Sequence, residues 1–200
     1  MAITAEQVKQ LRDKTGAGMM DCKSALTEAS GEMDKAVEVL RKKGLASAAK
    51  RAGRSTKDGI IGHYIHLGGK VGVLVEVNCE TDFVARTDDF QTLAKELALH
   101  IAAASPVYVK REDIPADVLD KEKEIYRAQF AGQNKPANVI DKIAEGKLES
   151  YYSQVCLMDQ PSVRDPNISI KQMVATAAAK TGENVTVTRF ARFKLGELAE

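Results

Sequence analysis

The chain has 200 residues, 44% of them apolar and 28% charged, with a formal net charge of +1. That composition is typical of a globular chain with a sizeable core, and it gives no net field of the kind that gathers nucleic acid or anionic membrane. No run of about 18 apolar residues exists to cross a bilayer. The opening MAITAEQVKQ lacks the basic-then-apolar order of a secretory leader, and Cys22, Cys79 and Cys156 are too few and too scattered for a disulfide framework, which fits a cytoplasmic location.

Residues 1–44 predict three short helices. Thr4 and Gln7 stand in capping-box spacing, so the first helix starts near Ala5 with Val8 and Leu11 inward. Gly16 and Gly18 interrupt it. A second helix runs from Met19 or Met20 to Ser30, and Gly31 ends it. A third spans 34–43, with Ala36, Val37 and Leu40 on one face, basic Arg41, Lys42 and Lys43 in its last turn, and Gly44 as its stop. Residues 45–58 read as a basic, partly helical linker.

The period then changes from helical to alternating. Residues 60–67 and 70–78 predict two strands joined by a two-residue turn at Gly68 and Gly69, with Val71, Val73, Val75 and Val77 on the core side. A long amphipathic helix follows over 88–104, its stripe formed by Phe90, Leu93, Ala94, Leu97 and Ile101, with Pro106 as the stop. Residues 107–109 read as a short extended piece. Pro115 and Pro136 each open a helix, and Gly132 and Gly146 close them. Residues 147–163 read as helical, then extended. Ser169 and Gln172 predict a capping box before a helix ended by Gly182, and 185–194 predict a last strand whose pattern slips near Arg189 and Phe190.

This order predicts an α+β fold: a three-helix N-terminal domain (1–44), a basic linker (45–58) and an antiparallel-sheet core with packed helices (59–200). A three-stranded sheet leaves edges and apolar surface uncovered, and a homodimer is the expected remedy.

The search for chemistry finds no catalytic set. Gly69 and Lys70 lack phosphate-loop spacing, because Tyr64 stands where the first glycine belongs and Val71 where Ser or Thr belongs. Gly16 and Gly18 have Asp21 in place of the third glycine of a dinucleotide fingerprint. His63 and His66 point to opposite faces of a strand, and no CxxC or HExxH spacing offers a metal site. No cofactor and no direct nucleotide binding are expected. Arg41, Lys42, Lys43, Lys50, Arg51, Arg54 and Lys57 fall in a stretch without acids. It reads as a solvated linker, with an RNA-binding arm as the alternative, although no aromatics are interleaved for base stacking.

Two segments stand out: LRDKTGAGMMDCKSAL, residues 11–26, and EVNCETDFVAR, residues 76–86. Both closely resemble the signature motifs of the elongation factor Ts family. DQPSVRDP (159–166) and VTRFARFK (187–194) resemble the family's later core segments, with Ser162 where the family commonly has Phe. The resemblance covers essentially the whole chain and is to a short member. It implies a ubiquitin-associated-like N-terminal domain, an α+β dimerisation core, and a guanine-nucleotide exchange factor for elongation factor Tu, with no membrane or nucleic-acid partner.

The resemblance also implies roles. Thr81, Asp82, Phe83 and Val84 form the segment that enters the GTPase domain and disturbs its Mg²⁺ site, with Phe83 as the apolar wedge. Arg12, Met19, Met20 and Lys23 lie in the N-terminal motif that docks on Tu. From composition alone Phe83 would tuck under its own sheet, and either Met19 or Met20 must be partly exposed, because adjacent helix positions cannot face the same way.

Overall fold

A computed structural model describes residues 3–130 and 137–197. Helix α1 (Ala5–Thr15) begins at Thr4, whose side chain accepts the Gln7 amide at 3.2 Å while Gln7 returns a bond to the Thr4 amide. Gly16, in the left-handed region, ends it. Helix α2 covers Met19–Glu28 and α3 covers Met33–Arg51. The three enclose a core of Val8, Leu11, Cys22, Ala25, Leu26, Ala29 and Ala36.

Helix α3 therefore runs eight residues beyond the expected end at Lys43 and takes in much of the segment read as linker. Gly44 does not stop it. A Cβ there would lie 3.2 Å from the Ala179 side chain, so the glycine allows close approach between helices.

Strands β1 (Asp58–Ile65) and β2 (Val71–Cys79) form a hairpin, and β3 (Thr186–Lys194) adds to β2, giving the order β1-β2-β3. The Leu195 amide donates to Lys70 O, while Thr188 bonds Asn78 at the other end, so β3 runs antiparallel to β2. The hairpin turn is longer than expected. The His66 amide donates to Val71 O, and a turn from His66 to Gly69 lies inside that pair. Gly68 and Gly69 both have positive φ, 85° and 68°, which only glycine adopts cheaply. Val73, Val75, Val77 and Cys79 are buried, as the alternation predicts. Leading into and along β3 the less exposed side passes from Val185 and Val187 to Phe190 and Arg192, a phase change where the sequence pattern slips.

A short helix, α4 (Asp82–Ala85), follows β2, and then α5 (Asp88–Ala104). The stripe Phe90, Leu93, Ala94, Leu97 and Ile101 is buried. Helix α6 spans Ala116–Phe130 and α7 spans Ala137–Val155; the expected breaks at Gly132 and Pro136 lie outside the described residues. Gly146 does not end α7. A glycine inside a helix costs only about 1 kcal/mol, and Ala144 and Leu148 on either side of it are buried. A 3-10 turn at Leu157–Asp159 and helix α8 (Ile170–Thr181) complete the order, with Gly182 at the end of α8. The fold is α+β.

The chain divides into two compact units. One comprises Met1–Gly62, Glu76–Lys95 and Gln172–Thr188; the other comprises His63–Val75, Glu96–Lys171 and Arg189–Glu200. In the first, α3 meets α8 through Arg41 to Gln172 and Arg51 to the Ala178 carbonyl. In the second, Arg111 binds both Glu149 and Asp159, at 2.7–3.0 Å, and lies over the Tyr152 ring.

Candidate partner-binding site

Thr81 leaves β2 in an extended conformation and occupies the N-cap position of α4, but its side chain makes no cap bond to the helix. Its hydroxyl bonds Glu183 Oε1 at 2.6 Å instead, and Glu183 Oε2 accepts the amides of Glu80 and Thr81, each at 3.0 Å. Four residues cannot sustain a helix unaided. The segment is held from outside at its far end too: Thr87 Oγ1 donates to Val84 O and Gln91 Nε2 to Ala85 O, both at 2.8 Å.

Within this frame the two apolar side chains part company. Val84 is buried, whereas Phe83 is 78% exposed. The expectation from composition, that Phe83 tucks under its own sheet, is not met: Val84 and Ala85 take the inward positions of this turn and leave Phe83 outside. Asp82 pairs with Arg86 one turn on, at 2.7 Å.

On the helical module, Arg12 and Lys23 are exposed, and Met19 and Met20 are 49% and 76% exposed. Both methionines thus face water to different degrees. Met20, Lys23, Ser24, Thr27 and Glu28 line an open depression of about 440 Å³. Methionine is suited to such a surface because its flexible thioether adapts to a partner's contour.

Burial pushes the Cys79 and Cys156 thiols up to about 11, with nearby acids reinforcing it, and raises Cys22 as well, so none is an activated nucleophile. Among the described residues no group of three or more His, Cys, Asp or Glu is placed to hold a metal, and no helix is long and apolar enough to cross a membrane. Much of the basic stretch is engaged within the chain: Arg41 with Gln172, Lys43 with Glu28, Arg51 with Ala178 O and Arg54 with Glu80. Those contacts weigh against a free RNA-binding arm. Sequence reasoning missed Glu80 and Glu183; they meet across about a hundred residues, and no local pattern links them.

The whole chain can be set beside known proteins. The family model described as Elongation factor TS matches residues 3–197. The elongation factor Ts of Fervidobacterium nodosum is 60% identical over 197 residues, which is 98% of this chain and 100% of the relative. Those of Geobacter sulfurreducens and Carboxydothermus hydrogenoformans are 57% and 56% identical, each over 98% of this chain and about nine tenths of their own length. Agreement of this extent, together with both long motifs in order, places the chain in the elongation factor Ts family.

Proposed function

We propose that Thr81, Asp82, Phe83 and Val84 form a wedge that enters the GTPase domain of elongation factor Tu near its Mg²⁺ and nucleotide site and so drives GDP out. As an elongation factor Ts, the chain is a guanine-nucleotide exchange factor for Tu in translation elongation, not an enzyme. Exchange is a coupling between two ligands of Tu: a factor that favours the nucleotide-free form must weaken GDP binding, and GDP must weaken factor binding equally. Each tenfold loss of GDP affinity requires about 1.4 kcal/mol of differential contact. That contact needs no acid, base or metal from the factor.

The observation that carries the wedge is the exposure of Phe83 on a turn fixed at both ends. A large aromatic in water on a preorganised support loses little conformational freedom when it enters an apolar cleft. In this reading Val84 anchors the turn, Thr81 fixes its start, and Asp82 orients the tip through Arg86. Arg12, Met19, Met20 and Lys23 supply a second contact through the helical module. Of the division into 1–44, 45–58 and 59–200, the N-terminal domain is supported by the small core of α1–α3, whereas α3 continues to Arg51 through much of the 45–58 linker.

A homodimer completes the proposal. Ile65, Leu74 and Phe193 are exposed on the sheet face opposite Val73 and Val75, and a second copy is the covering partner. The factor acts in the cytoplasm, where translation runs.

The test is the release rate of a fluorescent GDP from Tu. Wild-type protein should accelerate it strongly, and Phe83→Ala should reduce the acceleration by at least about tenfold with an unchanged fold. Acceleration that survives the substitution would move the mechanism away from the wedge.

A further inference from the structure

We propose that Glu183 is a positioning residue for exchange, holding the start of the 81–84 turn so that Phe83 is presented in one fixed direction; this rests on the wedge reading above. Its carboxylate accepts three hydrogen bonds from the segment: the amides of Glu80 and Thr81 on Oε2 and the Thr81 hydroxyl on Oε1. A carboxylate acceptor makes such bonds roughly twice as strong as neutral ones.

The contact is reciprocal. Glu80 Oε1 accepts the Asn184 amide at 2.7 Å and pairs with Arg54 at 3.4 Å. Two acids, each on its own segment, thus accept backbone amides of the other segment. Asn184 is buried, and its side-chain amide donates to the carbonyls of Arg54 at 2.9 Å and Ala52 at 3.4 Å. Gly182, with φ of 77°, turns the chain out of α8 immediately before Glu183. The latch is therefore built from the ends of β2, α3 and α8 within one compact unit. Phe83 lies only two residues beyond Thr81, in the helical turn that Thr81 begins, so a tilt at the latch moves Phe83 with that turn.

Glu183→Gln removes the charge and turns an amide donor toward N–H groups that need an acceptor. The milder Glu183→Asp, which keeps the charge on a shorter arm, serves if the first variant does not fold. Two readouts are required. Amide hydrogen exchange should quicken at Glu80 and Thr81 by at least about tenfold, with thermal unfolding showing the rest of the molecule intact. Stimulation of GDP release should fall by about tenfold when Phe83 is present and by little when Phe83→Ala is already in place. That non-additivity is what positioning predicts and general loss of structure does not. An equal fall in both backgrounds overturns the proposal, as does unchanged stimulation despite faster amide exchange, or unchanged amide exchange. Failure of the wedge itself shows separately, as an inert Phe83→Ala with Glu183 intact.

Discussion

His100 Nε2 lies 2.8 Å from Gln160 Oε1, and His100 Nδ1 accepts the Val163 amide at 3.3 Å. Gln160 passes the chain on, its side-chain amide donating to Gln154 O at 2.6 Å. The Val163 contact requires a bare Nδ1, which assigns the proton of the neutral ring to Nε2 and the acceptor role to Gln160. The ring is buried, and burial lowers its pKa from the ordinary histidine value, with the Gln160 bond opposing.

That arrangement makes stability depend on pH. Below about pH 6.5 the unfolded chain takes up a proton at this position that the folded chain resists. Stability is whole above that value and falls as pH drops below it, until the folded imidazole itself protonates, with a slope of at most about 1.4 kcal/mol per pH unit. Urea unfolding at pH 7.5 and 5.5 should show wild type losing about 1 kcal/mol more than His100→Asn loses over the same interval. Equal losses would place the pH dependence elsewhere.

Gly62 on β1 is set by close approach. A Cβ there would lie 2.8 Å from Ala94 O and 3.0 Å from the Ala94 side chain on α5. A helix carbonyl cannot step aside as a flexible side chain does. Gly62→Ala should cost about 1–3 kcal/mol, read as a lower urea midpoint. At Gly146, where a Cβ would meet nothing within 4 Å, the same substitution should be neutral or stabilising.

The three thiols should be inert in the folded chain. All are buried, and those of Cys79 and Cys156 are pushed up to about 11. Alkylation at pH 8 should run at least about a hundredfold slower in native protein than in denaturant. A brief treatment that leaves the thiols unmodified should leave nucleotide exchange intact. Rapid native modification would show that these sites open to solvent.

Apolar exposure on the sheet face predicts the oligomer. Leu74→Asp and Phe193→Asp both place a charge on the outer face of the sheet, where a monomer tolerates it at less than about 0.5 kcal/mol. Sedimentation should show a dimer for wild type and a monomer for the double variant at the same concentration. A wild-type monomer, or a variant that still dimerises, would move the interface or remove it.

Periodicity read the elements well where one face is buried and the other wet. Helix α5 occupies the predicted span, and the valines of β2 point inward as their alternation requires. Glycine was the weak signal. Gly44 and Gly146 read as stops because a glycine often follows a helix, yet both lie inside one. A missing Cβ serves a chain reversal and a close helix contact equally well, and only the neighbour distinguishes them. For the same reason the hairpin glycines were placed correctly while the turn around them proved longer.

The candidate site divided in the same way. The proposed contact residues lie in two long motifs, and helix geometry required that Met19 or Met20 be partly exposed; both are exposed. Phe83 was read in two directions: composition alone put it under the sheet, the family resemblance put it outward, and the side chain is exposed.

The sequence by itself determined the order of the elements apart from the short α4, the three-helix start of the chain, the covered face of the sheet and the family, because each rests on local periodicity or on contiguous motifs. Tertiary structure alone decided that Glu183 accepts the Glu80 and Thr81 amides, that Glu80 accepts the Asn184 amide, and that His100 is buried with its Nδ1 accepting the Val163 amide. Those depend on groups 60 to 104 residues apart in the chain being brought within hydrogen-bond distance, and no local pattern encodes which distant partner will satisfy a buried or turn-bound polar group.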